Sequence, residues 1–306
     1  MERFEAGRDR LASLAYRLLG SAADAEDVVQ DAFLRWQAAD REHVEVPEAW
    51  LTKVVTNLAL DRLRSASARR ERTVGAWLPE PLLDGDPMLG PAETAEQRDS
   101  VTLAVLTLME RLPPVERAVY VLREAFSYSH VEIAGILDIS VSASQQHAHR
   151  AKRHVASART TGGIDRAAAR RVVEEFIAAA SSGRTDRLVA LLTRDATAIS
   201  DGAGLTAKLV RYADPVRLAA ALRAAFRPTP AKRKLVGGSP AFHAGVVNGS
   251  PAVLAVLADR VVGVVVLEVR DDGIASVHGV ATAARLARLT DRWRRQGPDA
   301  PILGSW

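Results

Sequence analysis

SYSHVEIAGILDISVSASQQHAHRAKRHV, residues 127–155, is the stretch on which the reading of this chain turns. Val131, Ile133, Ala134 and Leu137 fall at the spacing of a short helix, Asp138-Ile139-Ser140 forms a tight turn around an apolar residue, and a second helix begins at Val141. Two short helices joined in this way form a helix-turn-helix pattern. From Ile139 to Ile164 there is no Asp or Glu, whereas Arg150, Lys152, Arg153 and Arg159 supply four cations. A local basic patch therefore accompanies the pattern.

Upstream, Leu11, Leu14, Ala15 and Leu18 recur at helical spacing, and Gly20 closes the run where a helix C-terminus favours positive φ. Ser21 and Asp24 form an S-x-x-D capping pair. The helix they open carries Ala25, Val28, Val29, Ala32, Phe33 and Trp36 on one stripe, with Asp24, Glu26, Asp27, Gln30, Asp31 and Arg35 outside it. Pro47 starts a third helix with an apolar stripe of Leu51, Val54, Val55 and Leu58, opposite Trp50, Lys53, Asn57, Asp61 and Arg64. Helical pattern resumes at Val101, Val105, Leu108 and Leu112, breaks at Pro113-Pro114, and runs from Val115 to Phe126.

Gly162-Gly163 marks a change of character. Helices through Val172–Ile177, Leu188–Leu192 and Leu218–Phe226 come first, and strands are expected from Ala231 onward. PAVLAVLA and RVVGVVVLEV are rich in β-branched residues, and Asn248-Gly249 and Asp272-Gly273 read as hairpin turns. Helices followed by an antiparallel sheet indicate an α+β domain. The tail RRQGPDAPILGSW reads as extended or mobile.

A chain of 306 residues exceeds one ordinary core, and three domains are expected. With no cysteine, disulfides, thiolate zinc sites and thiol redox sensing are excluded. No apolar run approaches the length of a membrane span and the N-terminus lacks a signal-peptide core, so a cytoplasmic protein is expected. The pI near 9.7 suggests an anionic partner. The charge is uneven, however. Residues 1–66 hold 9 Lys+Arg against 12 Asp+Glu, residues 99–160 hold 7 against 6, and residues 161–306 hold 21 against 13.

DAEDVVQDAFLRW, PEAWLTKVVTNLALDRLR and LPPVERAVYVLREAFSYSHVEIAGILDIS, in this order, resemble regions 2 and 4 of extracytoplasmic-function (ECF) sigma factors. The linker motif WLPEP at 77–81 and a C-terminal part similar to SnoaL-like, NTF2-like cones resemble the SigJ-type subgroup, in which such a domain is fused to the sigma domains. The resemblance implies two all-α sigma domains, at 1–66 and 99–160, joined by a linker at 67–98 and followed by an α+β SnoaL-like domain at 161–306. It implies a non-enzymatic specificity subunit, without cofactor or metal, whose partners are core RNA polymerase and promoter DNA.

On that resemblance the outer face Asp24, Glu26, Asp27, Gln30, Asp31 and Arg35 meets core polymerase, and Trp50, Lys53 and Asn57 hold the −10 element after strand separation. Ser142, Gln145, Gln146, His149, Arg150 and Arg153 then face the major groove of the −35 element, with Ser144, Ala148, Ala151 and Val155 turned inward. Relatives usually carry Val and Leu at 144 and 148 and often Arg at 145, so packing and promoter preference are expected to differ. His147, His149 and His154 do not suggest a metal site, because 147 and 149 lie on different sides of a helix and no carboxylate is near in the sequence.

Asp201, His243 and His278 are the titratable candidates for an acid/base pair or an unknown small ligand in the C-terminal cavity. The subgroup's DGGGK-like motif stands here as Asp201-Gly202-Ala203-Gly204-Leu205, and its NPDKL-like motif as Thr282-Ala283-Ala284-Arg285-Leu286. Trp77, Leu78, Pro79, Glu80 and Pro81, together with Asp201 and Gly202, are expected to form an intramolecular latch, the prolines stiffening the segment so that docking costs little entropy. The alternative is a helix-turn-helix regulator with a ligand-sensing or enzymatic NTF2-like domain.

Overall fold

The computed structural model describes residues 2–70, 78–90, 94–156, 165–202, 209–297 and 299–304. The chain divides into two compact units: Met1–Val74 with Gly85–Arg159, and Gly75–Asp84 with Thr160–Trp306.

The first unit is helical. α1 (Glu2–Leu19), α2 (Ala22–Ala38) and α3 (Pro47–Arg70) form a bundle. Leu11, Leu14, Ala15 and Leu18 are buried in it, Gly20 takes φ 67°, and Ser21 caps α2 by accepting from the Asp24 N–H. The expected stripe of α3 is corrected. Leu51 and Val55 are buried but Val54 and Leu58 only half so, while Thr52, Thr56, Ala59, Leu60 and Leu63 complete the buried set. The cause is that α3 packs on two sides, against α1 and α2 and also against later helices of the same unit.

Those helices are α4 (Ala95–Asp99), α5 (Leu103–Met109), α6 (Pro114–Tyr120), α7 (His130–Leu137) and α8 (Val141–Val155). A π-helical turn at Val121–Ala125 prolongs α6. Thr94, Thr102, Ser129 and Ser140 each cap the helix they precede. Asp138 stops α7 in the left-handed region at φ 54°. Val131, expected inside, is 68% exposed, and Ile136 is buried in its place; Ile139 in the turn is half-buried.

The second unit is α+β. α9 (Arg166–Ser181) and α10 (Thr185–Leu191) lead into β1 (Leu192–Ser200) and β2 (Val210–Tyr212), then α11 (Pro215–Phe226) and α12 (Pro230–Val236). β3 (Ala241–Val247), β4 (Ser250–Leu257), β5 (Arg260–Arg270), β6 (Gly273–Val280) and α13 (Ala283–Gln296) follow. The sheet order is β2-β1-β6-β5-β4-β3, with β1 parallel to β6 and every other pairing antiparallel. Strands therefore precede α11, contrary to the expected order, and the sheet is mixed. Ala231 opens no strand, since it lies in α12.

Asn248 and Gly249 do form the β3–β4 turn, with φ 51° and 79°. One face of the sheet packs on α9, α10 and α11 through a core in which Phe176, Phe226 and Phe242 form a chain of rings 5.5 and 5.4 Å apart. The tail is ordered further than expected. Arg294, Arg295 and Gln296 end α13, and Leu303 bridges to Phe242 of β3.

Candidate nucleic-acid interface

α8 presents two faces. Ser144, Ala148, Ala151 and Val155 are buried, while Ser142, Gln145, Gln146, His149, Arg150 and Arg153 are exposed. Ser144 is more than a weak apolar substitute, because its hydroxyl lies 2.9 Å from His130 Nδ1 and braces the two helices of the motif. Among the described residues Ser142, Gln145, Gln146, His149 and Arg153 make no side-chain hydrogen bond, which leaves their polar groups available to base edges or phosphates. Arg150 differs. Its Nε lies 3.0 Å from the buried Glu116 carboxylate, and Lys152 is 3.0 Å from Glu124, so both cations are oriented by carboxylates beneath α8.

On α2 the proposed polymerase face divides. Asp24, Asp27 and Asp31 converge on Arg62 of α3 at 3.3, 3.3 and 3.4 Å, whereas Glu26, Gln30 and Arg35 are exposed elsewhere on the helix. Burial lowers the Arg62 pKa, but its hydrogen bonds to Asp27 and Asp31 and the charges of Asp27 and Asp24 outweigh it, and the net shift is upward. No apolar pattern signals Arg62; only the i, i+3, i+7 spacing of the three aspartates hints at a cation facing them.

Trp50, Lys53 and Asn57 on α3 are half-buried. Trp50 packs against Trp36 with ring centroids 5.5 Å apart and planes tilted by 54°, which ties it to the bundle. Lys53 donates to the Gly135 carbonyl at 3.0 Å and pairs with Asp138 at 2.9 Å, both in the helix-turn-helix. Alongside, Arg10 donates to the Tyr128 hydroxyl at 2.8 Å, and Thr52 lies 3.0 Å from the same hydroxyl. Arg17 of α1 is buried and donates to Ser100 Oγ at 2.9 Å. A polar seam therefore joins the bundle to the later helices of this unit.

In the second unit the three titratable candidates are not brought together. His243 and His278 share one face of the sheet but β4 and β5 stand between their strands, a separation of roughly 14 Å at ordinary strand spacing. His243 is held by Trp293 and by the Asp299 carbonyl, 2.9 Å from Nδ1, and burial lowers its pKa. His278 is buried and pushed down to about 4 by desolvation. The Asp201 carboxylate accepts from the N–H groups of Ala281 and Thr282 at 2.9–3.2 Å, so the two altered motifs meet inside the domain, at the start of α13. Gly202 donates to Ser200 Oγ at 3.1 Å; Ala203 to Lys208 lie outside the described residues.

Asp201→Ala leaves those N–H groups without their acceptor and is expected to lower the stability of the domain by about 2–4 kcal/mol. A urea titration checks the value. A catalytic Asp201 would instead leave the unfolding midpoint nearly unchanged.

Of the expected linker, Gly75–Asp84 belongs to the second unit, and the part from Gly85 onward belongs to the first. Leu78, Pro79, Pro81, Leu82 and Leu83 are buried and Glu80 is half-buried, while Trp77 lies outside the described residues. The Leu82 N–H donates to Asn248 Oδ1 at 2.8 Å, the Asn248 N–H to the Leu82 carbonyl at 2.9 Å, and the Asp84 N–H to the Val246 carbonyl at 2.9 Å. The segment thus adds a short strand to the open edge of β3. Beside it lies a cavity of about 190 Å³ lined by Asp84, Arg166, Arg170, Trp293 and Asp299, among others.

Family models for Sigma-70 region 2 and Sigma-70, region 4 match residues 4–69 and 102–155. The chain is 41% identical over 209 residues to the ECF RNA polymerase sigma factor SigJ of Mycobacterium tuberculosis, covering 68% of this chain and 67% of that protein. It is 38% identical over 194 residues to a probable ECF RNA polymerase sigma factor, SigI, of the same organism, covering 62% and 65% respectively. In sequence it thus aligns with about two thirds of the length of each. The crystal structure of the extracytoplasmic function sigma factor SigJ of Mycobacterium tuberculosis matches with a TM-score of 0.69 at 31% identity, over 94% of this chain and 98% of that one. With helical regions 2 and 4 followed by an α+β domain, the chain belongs to the ECF RNA polymerase sigma factors.

Proposed function

We propose that this sigma factor docks on core RNA polymerase through α2, holds the opened −10 element at α3 and reads the −35 element with α8, and that two intramolecular contacts restrain it. One is the seam in which Lys53 is occupied by Gly135 and Asp138. The other is the linker strand on β3. The observation that carries the reading is the Lys53 contact: a cation suited to promoter DNA is bound instead to a carboxylate and a helix-end carbonyl, which act as an internal substitute for phosphate. The α+β domain then regulates rather than catalyses, since its acid/base candidates serve packing and capping.

The test is promoter-specific transcription by purified core polymerase. Asp138→Asn keeps a residue tolerant of left-handed φ and removes the charge. Because the pair is exposed, its loss is worth at most about 1 kcal/mol, so initiation should rise about two- to fivefold. An unchanged rate would remove the seam from the mechanism. No transcript from any form would remove the promoter-binding role itself.

A further inference from the structure

The excess positive charge of the C-terminal domain has a definite address. Between Gly202 and Ala258 the sequence holds eight Lys+Arg and one acid, Asp214. Several cations elsewhere in the domain meet carboxylates: Arg166 with Asp84, Arg170 with Glu174, Arg184 with Asp186, Arg294 with Asp259. Among the described residues Arg217, Arg223, Arg227 and Lys234 have no carboxylate partner, and Asp214 is engaged as the cap of α11, accepting from the Arg217 N–H at 2.7 Å.

Packing fixes where these cations point. Leu218, Ala219, Leu222 and Phe226 form the buried stripe of α11, which leaves Arg217, Arg223 and Arg227 on the solvent side. Lys232 turns back to donate to the carbonyls of Ala225 and Arg227 at 3.1 and 2.9 Å and to that of Ala224. The start of α12 is thereby drawn onto the end of α11, and Lys234 follows on the exposed side. Burial, and after it the charge of Arg227, lower the Lys232 pKa, in keeping with cations crowded at close range. Like charges held together this way are destabilising unless an anion meets them.

We propose that the α11–α12 surface binds the phosphate backbone of duplex DNA, adding a sequence-independent contact to those of regions 2 and 4. Arginine dominates the patch, and its planar fork suits phosphate oxygens. From Arg217 to Arg227 the helix rises about 15 Å, the axial length of roughly four base pairs. A lipid surface fits less well. Val216 and Leu235 are the exposed large aliphatics of this patch, and a seven-residue α12 offers no continuous apolar face to insert. The inference rests on the sigma-factor reading, which supplies DNA as the neighbouring polyanion.

The test uses the full chain and its Arg217→Gln, Arg223→Gln, Arg227→Gln, Lys234→Gln fourfold variant, with fluorescence anisotropy on a labelled promoter duplex over a range of salt. Each phosphate contact contributes about 0.9 to the slope of log affinity against log salt, so the variant's slope should be shallower by about 3 to 4. Doubling the salt then weakens the wild type about tenfold more than the variant. Equal slopes in two folded proteins would overturn the proposal. So would loss of binding to phosphatidylglycerol vesicles in the variant while the DNA slope stays the same. Transcription with core polymerase at low salt separates this failure from that of the sigma reading: activity there with equal slopes rejects only the α11–α12 surface.

Discussion

Acidification from about pH 7 to pH 4 should destabilise the C-terminal domain by about 3 kcal/mol, chiefly through His278. This side chain is 3% exposed, and desolvation drops its pKa from 6.5 to about 4. The unfolded chain therefore binds a proton near pH 6.5 that the folded domain refuses until about pH 4. In that window the unfolded state carries more protons, so stability rises with pH. The contribution is complete above 6.5 and is lost progressively as the pH falls toward 4. His243, also lowered by burial but partly offset by the Asp299 carbonyl, adds a smaller effect of the same sign. The measurement is hydrogen exchange at the β5 and β6 amides as a function of pH, in the wild type and in His278→Gln. The variant should lose most of the slope. An undiminished slope would assign the acid sensitivity to carboxylates instead.

That buried histidine also marks how far the sequence could be read. Its presence was legible, but its partners were not, because its environment comes from strands that meet it only through the sheet. The faces of α8 were legible in full, since Ala148, Ala151 and Val155 recur at helical spacing and the exposed residues between them are polar. α3 was harder. Thr52 and Thr56 are buried, and a hydroxyl such as that of Thr52, bonded to the Glu48 carbonyl and lying near Tyr128, leaves no apolar signal. β1 escaped notice because its buried residues, Leu192, Thr193, Ala196 and Ile199, do not alternate, and its register shifts between Leu192 and Thr197.

The linker was the extreme case. Composition showed that Leu78 and its neighbours needed something to pack against, yet the edge of β3 that receives them is met partly through main-chain groups, which carry no residue-type signature. Asn248 was legible only as a turn residue. Its side chain also accepts the Leu82 N–H, a second role that pairing across 166 positions made invisible to local pattern.

Leu82→Ala should release the linker, and of the substitutions considered it should change transcription most. Leu82 is fully buried, and truncating such a side chain costs about 2–5 kcal/mol when the site cannot collapse. The strand it belongs to is held by few hydrogen bonds, each worth only about 1 kcal/mol net, and by the burial of neighbours such as Leu78 and Leu83, so a loss of that size removes a large share of what keeps it docked. The amides of Leu82 and Asp84 should then lose their protection from hydrogen exchange together with that of Asn248. If the docked linker restrains regions 2 and 4, initiation by the variant with core polymerase should rise several-fold. Asn248→Gly offers a milder version, because it keeps a residue suited to positive φ and deletes the acceptor of the Leu82 N–H while leaving the buried Leu82 side chain in place. It should raise initiation in the same direction by a smaller factor. A fall in transcription in both variants would reverse the sign of the linker's role, with docking then holding the two sigma regions ready for the promoter. Loss of protection without any change in transcription would reduce the added strand to a cover for the edge of β3.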